Sequence, residues 1–205
     1  VMSIGGFAVR ILSKIDEDSS IVAYLKNTLS DARRLEAIVK VVSEYTRVPT
    51  AKPVPVSISD IFEKEIDRLQ VKTAELSKRV KWSMALSTVE FPVDPVLFRK
   101  AVYEVLLNAV EFFESDEGSV GIFLLEEDNG LLIEVVDNGV GIPEKDMPYV
   151  FDPFFTTKAV GVGMGLCLVR RIVGEHGGDV RIDSETGKGA KVVIRLPNQV
   201  PEPVP

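Results

Sequence analysis

Three short clusters carry residue types that chemistry needs, at spacings that bring them together. In AVYEVLLNAVEFF, residues 101–113, Glu104 and Asn108 stand four apart and so share one face of a helix. Their neighbours Val102, Val105, Leu106 and Ala109 are apolar. An amide oxygen is a hard ligand of the kind Mg²⁺ takes while keeping several waters. A carboxylate one turn away can order or deprotonate a water or hydroxyl. The bland alternative is two polar residues at a helix rim, each hydrogen-bonded locally. The second cluster, Asp137-Asn138-Gly139-Val140-Gly141-Ile142-Pro143, follows an apolar strand-like run. An ionised Asp only accepts hydrogen bonds, and an exocyclic amine such as that of adenine suits it. Glycines let a ligand approach the backbone, although a strand followed by Asp-Asn-Gly is also an ordinary hairpin turn.

The third cluster is Gly161-Val162-Gly163-Met164-Gly165-Leu166, placed where a helix begins. Glycines ahead of a helix leave backbone N–H groups and a positive helix end, both suited to phosphate. The spacing is GxGxG, so neither the dinucleotide fingerprint nor the Walker loop is present; a plain surface loop is the other reading. Between the last two clusters lies Phe151-Asp152-Pro153-Phe154-Phe155-Thr156-Thr157-Lys158, aromatic and glycine-flanked as a mobile lid over a nucleotide would be. Lys158 is within reach of a phosphate there.

Composition limits the alternatives. The chain has 205 residues, 45% hydrophobic and 27% charged, which fits a folded protein of one large or two unequal domains. Twenty-four basic against 31 acidic residues leave a net charge of -7, which argues against nucleic acid as a partner. The single cysteine, Cys167, and single histidine, His176, exclude an intrachain disulfide and a thiolate or histidine metal cluster. Cys167 reads as a buried, inert thiol, His176 as a helix-ending residue, and Trp82 as a sheet or core residue. No apolar run approaches a membrane span, so a cytoplasmic location without direct membrane contact is expected, with membrane attachment left to segments upstream.

These clusters need elements to hold them. Val1 to Ile15 reads as a helix, broken at Asp16–Ser19, with Asp18 or Ser19 capping a second helix to about Arg47. In that second helix Ile21, Leu25, Thr28, Ala32, Leu35, Val39 and Val42 form a heptad seam. A lone hairpin cannot bury such a seam, so a homodimeric four-helix bundle through residues 1–47 is expected. Pro49, Pro53 and Pro55 mark residues 48–55 as a linker. Beyond it, helices are expected over Ser57–Glu75, from Asp94 or Pro95, and over Leu166–Glu175. Strands are expected over Val80–Leu86, Ser119–Leu125, Leu131–Val136, Val180–Ser184 and Ala190–Leu196. The fold class is therefore α+β: a helical hairpin, then an α/β sandwich over residues 56–198, with a tail over 199–205.

At this point the sequence resembles the sensor histidine kinases of two-component signalling. LLNA is similar to the family's N box, VDNGVGI to its first glycine box, FDPFFTTK to its F box and GVGMGL to its second, in the family's order and spacing. VMSIGGF with the two helices resembles the dimerisation and phosphoacceptor hairpin. The resemblance implies an ATP-binding domain of the fold shared with gyrase-type ATPases, the mismatch-repair ATPase and heat-shock chaperones, with ATP and Mg²⁺ as ligands. It implies Asn108 on Mg²⁺, Glu104 as general base and Asp137 on the adenine amine. Gly139, Gly141 and Ile142 would lie along the base and ribose. Thr157, Lys158, Gly161, Gly163, Met164, Gly165 and Leu166 would surround the phosphates, and Phe151, Phe154 and Phe155 would anchor the lid. A response-regulator receiver domain is the implied partner.

Four departures from the family pattern accompany the match. Aligning SIGGF places the acceptor histidine motif, H-E-x-R-x-P, just upstream of Val1, and His176 cannot replace it. Glu111 stands where some members carry a basic phosphate contact. Val162 replaces a frequent Thr or Ser, and Ala190 a frequent Thr that supports the adenine-binding Asp. Each missing side-chain hydrogen bond is worth about 0.5–1.5 kcal/mol net, so weaker rather than abolished ATP binding is expected. A degenerate ATP-binding scaffold is the alternative function; a simple ATPase or a serine kinase of the same fold fits the heptad hairpin less well.

Overall fold

The structure is a computed structural model that describes residues 6, 9–11, 13, 20–85, 89–158 and 161–198. It divides into two compact units, Val1–Arg47 and Val48–Pro205. The first unit is built on α1, Ser20–Thr46, a helix of 27 residues and roughly 40 Å long at 1.5 Å per residue. Within this chain the expected seam is only partly covered: Ile21, Leu35 and Val39 are exposed while Ala32 is buried. Of the first expected helix, Gly6 and Val9–Ile11 are helical; the rest of it, and the cap at Asp18 or Ser19, lie outside the described residues.

The second unit begins with β1, Val54–Ser57, and α2, Ile58–Glu75. Next come β2, Arg79–Ala85; β3, Glu90–Val93; and α3, Pro95–Glu111. The strands β4, Glu117–Glu127, and β5, Gly130–Asp137, form a hairpin. A 3₁₀ turn at Met147–Tyr149 leads to α4, Gly165–Glu175. The chain closes with β6, Asp179–Ser184, and β7, Ala190–Pro197.

Five strands form one sheet in the order β2-β4-β5-β7-β6. Only β2 and β4 run parallel, with a connection through β3 and α3 between them. Alternation along the strands sends Val120, Ile122, Ile133, Val135, Val192 and Ile194 to one buried face. The helices pack on that face and bring Phe98, Val102, Leu106, Val169, Ile172 and Val173 to it, all below 2% exposure. The result is the expected α/β sandwich.

One piece differs from the sequence expectation. Val54 and Pro55, read as linker, belong to β1, which pairs antiparallel with the unexpected β3, Pro55 opposite Pro92. A separate two-stranded ribbon tolerates proline because its outer edges ask for no ladder N–H. Just ahead of β1, the Lys52 amide donates to Asp94 Oδ2 at 3.1 Å, so this proline-rich stretch is docked rather than free.

Helix starts follow their capping residues. Ser57 Oγ accepts from the Asp60 amide at 3.2 Å, and Asp94 Oδ1 accepts from the Val96 and Leu97 amides at 3.0 Å each, with Pro95 as the first helical residue. Burial pushes the Asp94 carboxyl up, but the amide bonds from Leu97, Lys52 and Val96 outweigh it and hold it below the ordinary range.

A buried charge ties α2 to α3. Glu65 is fully buried and accepts from Arg99 Nε at 2.6 Å and from Arg68 at 3.3 Å, while Arg68 lies 4.2 Å over the Tyr103 ring. Both arginines are about half exposed or more. The two ends of this pair are thus unequal. Arg99→Ala leaves a buried carboxylate short of a partner and is expected to cost about 3 kcal/mol, whereas Glu65→Ala releases arginines that can reach water and costs about 1–2 kcal/mol. Urea unfolding of the two variants checks the order.

Candidate functional site

Helix α3 presents two faces. Ala101, Val102, Val105, Leu106, Ala109 and Val110 are buried, and the pairs between them, including Glu104 and Asn108, are half-buried. The part of that half-buried stripe at Glu104 and Asn108 looks toward the start of α4. A Cβ placed on Gly165 would come within 2.6 Å of Glu104 Oε2 and 3.6 Å of Asn108 Nδ2. Gly165 therefore lets the first turn of α4 sit directly beside both polar side chains. The N-cap of α4, Met164, makes no side-chain cap and its side chain is buried, so the positive end of the helix dipole faces this stripe.

The end of the aromatic segment 151–158 reaches the same place. Lys158 Nζ donates to Asn108 Oδ1 at 2.8 Å, pairs with the Glu111 carboxylate, and lies 4.7 Å over the Phe112 ring. Its own amide donates to Thr156 Oγ1 at 3.1 Å. Glu104 and Asn108 of α3 thus lie close to Lys158 and Gly165, which follow about 50 residues later in sequence.

A second polar cluster lies where β5 stops. Asp137 Oδ1 accepts from the Gly139 amide at 2.8 Å and from the Ala190 amide at 3.2 Å. The methyl of Ala190 offers no hydroxyl, but its backbone braces Asp137 directly. Burial pushes the Asp137 carboxyl above its ordinary range, against those two amide bonds. Gly139 is pressed on α3's end, where an added Cβ would meet Phe112 O at 2.6 Å, and Val140 donates to that oxygen at 2.9 Å. Gly141 sits against the backbone at Glu185, and the Ile142 amide donates to Ser184 Oγ at 2.9 Å. Ser184 in turn donates to Gly189 O at 2.7 Å. Asn138 holds the turn from the other side, accepting from the Ser119 amide at 2.7 Å. The bracing by Ser184 and Asn138 is not legible in the sequence, since neither carries a spacing signal.

Between the two clusters, the aromatic segment is partly held. Phe155 lies 5.9 Å from the Tyr149 ring, and Arg170 5.7 Å from the Phe151 ring. Phe154 departs from the anchoring role expected of it: it is 57% exposed and adopts φ 68°, a left-handed conformation uncommon for an aromatic residue. Gly163, at φ 70°, packs on that backbone, where a Cβ would come within 2.6 Å of both Phe154 C and Phe155 O. Thr157 and Gly161 are exposed, Leu166 is half-buried, and Met164 can meet a ligand only through its backbone.

Two other sequence readings concern neighbours of the site. His176 is 1% exposed and caps α4. Its Nε2 accepts from the Asp94 amide at 2.8 Å, which leaves the proton on Nδ1 to donate to Ile172 O at 2.8 Å. It joins the end of α4 to the start of α3 and has no nitrogen left for chemistry. Cys167 is buried, donates to Met164 O at 3.1 Å, and burial pushes its thiol up, as an inert cysteine requires. Among the described residues no group of three or more His, Cys, Asp or Glu side chains could hold a metal, and no helix is long and apolar enough to cross a membrane.

Residues 93–200 match the family of histidine kinase-, DNA gyrase B- and HSP90-like ATPases. The chain belongs to that family. The matched region carries α3, Asp137, Gly139, Gly141, the aromatic segment 151–158 and the GxGxG run before α4. Within the family the likeness is to sensor histidine kinases. The chain is 32% identical over 192 residues to the signal transduction histidine-protein kinase AtoS of Escherichia coli K12, covering 92% of this chain and 31% of AtoS. It is 28% identical to the sensor histidine kinase ZraS of the same strain, covering 81% of this chain and 36% of ZraS. It thus spans about a third of the length of these curated relatives. The mycobacterial sensor histidine kinase MprB superposes with a TM-score of 0.63 at 26% identity, over 73% of this chain and all of that one. The histidine kinase ThkA, solved in complex with the response regulator protein TrrA, superposes with a TM-score of 0.72 at 21% identity over 98% of this chain and 58% of ThkA; that likeness is one of fold.

Asp137 makes a two-sided prediction. A carboxyl whose folded pKa is raised contributes stability below its unfolded pKa and loses it as pH rises through the folded value, so at neutral pH the charge is a net cost. Asp137→Asn keeps an acceptor for Gly139 and Ala190 and removes that cost. Its melting temperature is expected to equal or exceed that of the natural protein at pH 7, while ATP affinity falls at least tenfold. In the natural protein, ATP affinity should decline on acidification from a higher pH than an ordinary aspartate would give. Calorimetry against pH checks both. Gly163→Ala, strained in φ and pressed on Phe154, is expected to cost about 1–3 kcal/mol, read by thermal unfolding.

Proposed function

We propose that this chain is the catalytic core of a sensor histidine kinase, binding MgATP and passing the γ-phosphoryl to a histidine. The observation that carries this reading is that Asn108 stands with Glu104 beside the start of α4 and accepts from the Lys158 ammonium. Asp137, half-buried and fixed by two amides, is the acceptor for the adenine amine. The Asn108 amide oxygen already carries a cation, the Lys158 ammonium, so it is oriented to hold Mg²⁺. Bound there, Mg²⁺ would neutralise charge on the phosphates. The α4 amides and Lys158 orient the phosphoryl groups, and transfer depends on this placement more than on covalent chemistry.

In the transfer, an acceptor imidazole nitrogen bonds to the γ-phosphorus as the bond to the β,γ-bridging oxygen breaks and ADP leaves. Glu104 takes up or polarises the proton of the attacking ring. The acceptor is not His176, whose two nitrogens are committed inside the core; it belongs to a histidine outside these 205 residues, on the helical hairpin. The phosphoryl group then passes to an aspartate of a response-regulator receiver domain. The exposed seam residues Ile21, Leu35 and Val39 of α1 support homodimerisation through that hairpin.

The test restores the natural residues upstream of Val1 and supplies γ-labelled MgATP. Label that is acid-labile, base-stable and reduced about a hundredfold or more by Asn108→Ala or Asp137→Asn is the expected result. ATP binding without any label would overturn the kinase reading and favour an ATP-responsive scaffold, a reading that Glu111, Val162 and Ala190 keep in play.

A further inference from the structure

Glu111 is the residue of the site that the ATP-binding reading does not use. It lies one turn past Asn108 on the same face of α3, where a negative charge opposes phosphate. Yet it is paired with Lys158, and both side chains are largely covered, with 22% and 23% of their surface exposed. The same ammonium donates to Asn108 Oδ1 and lies over Phe112. Lys72 of α2 also acts on the site electrostatically through Glu111, but its ammonium hydrogen-bonds Glu75 at 3.1 Å. The cation committed to Glu111 is therefore the lid's own.

We propose that Glu111 is a positioning residue that latches the lid in the nucleotide-free protein, by holding the Lys158 ammonium on the Asn108 oxygen that a metal–nucleotide complex must take. The ammonium stands in for the metal: it is a cation on the same amide oxygen, kept there by an adjacent carboxylate. When MgATP arrives, Lys158 must leave Glu111 and Asn108 before it can turn to the phosphates. The carboxylate then sets a threshold on nucleotide entry rather than a contact to nucleotide. This inference rests on the ATP-binding reading for its second half only, because the contacts among Glu111, Lys158 and Asn108 involve the chain's own side chains alone.

Two measurements on the whole 205-residue chain test it. The first uses no ligand. In Glu111→Gln the amides of residues 155–158 are expected to exchange hydrogen several-fold faster than in the natural protein, with exchange in the sheet unchanged. Unchanged exchange there overturns the latch. The second is a cycle of MgATP dissociation constants over Glu111→Gln, Lys158→Gln and the double variant. Breaking one charge-assisted hydrogen bond less on binding should tighten Glu111→Gln roughly three- to tenfold. That gain should shrink when Lys158 is already Gln, since nothing remains to release. A gain as large or larger in the Lys158→Gln background would mean that Glu111 acts only by repelling phosphate. Weaker binding by Glu111→Gln would mean that it presents Lys158 to the nucleotide. Either overturns the proposal. A natural protein that binds no ATP would sink the ATP-binding reading, while the exchange experiment would still decide the latch.

Discussion

Everything at the site depends on how firmly α3 is clamped. Its apolar face is pressed on the sheet through Val102, Val105 and Leu106. Its side is tied to α2 by the buried Glu65 carboxylate on Arg99. Its first turn is capped by Asp94, whose own amide is bound by His176 from the far end of α4. A helix fixed at its start, its flank and its underside has one remaining face, which meets the start of α4 and Lys158. That face carries Glu104, Asn108 and Glu111, so three polar side chains are held in register without any of them stabilising the core.

The same clamp sets the distance between α3 and α4. His176 pins the end of α4 to the start of α3, while Gly165, lacking a Cβ, lets the other end of α4 approach Glu104 and Asn108. The two contacts lie at opposite ends of α4, so the helix is held along its whole length. Its N-terminus is thereby presented to Glu104 and Asn108 as a fixed electrostatic feature rather than a fluctuating one.

How much of this could be read from sequence varied with the range of the interaction. The i, i+4 spacing of Glu104 and Asn108, the helix start at Asp94–Pro95, the β4–β5 hairpin and the GxGxG run before α4 depend on neighbours a few residues away, and their spacing shows. The Asp94 cap is local, but its bond to His176 crosses 82 residues and leaves no pattern. The charge of Glu65 sits on a helix whose other buried positions are mostly apolar, and nothing local says that it turns inward. The β1–β3 ribbon was hidden because its prolines argue against strand everywhere except at edges. Lys158 was legible as a cation near phosphate, and Glu111 as a misplaced acid. That they would meet across 47 residues was not legible in either segment alone.

The sheet order has a consequence for how such a site can change. Strands β5 and β7 are adjacent, with Val136 opposite Lys191, although everything from Asn138 to Gly189 lies between them in sequence. Both glycine boxes, the aromatic lid, α4 and β6 are thus an excursion from two neighbouring strands whose own pairing closes it. The entropy of closing a loop grows only with the logarithm of its length, about 0.6 kcal/mol for a doubling. Residues can accordingly be gained or lost in the stretch between Phe155 and Gly163 at little thermodynamic cost to the sheet. The stable framework and the adaptable entrance are separate parts of one chain, and the lid can be retuned in length and charge while the strands that frame it stay as they are.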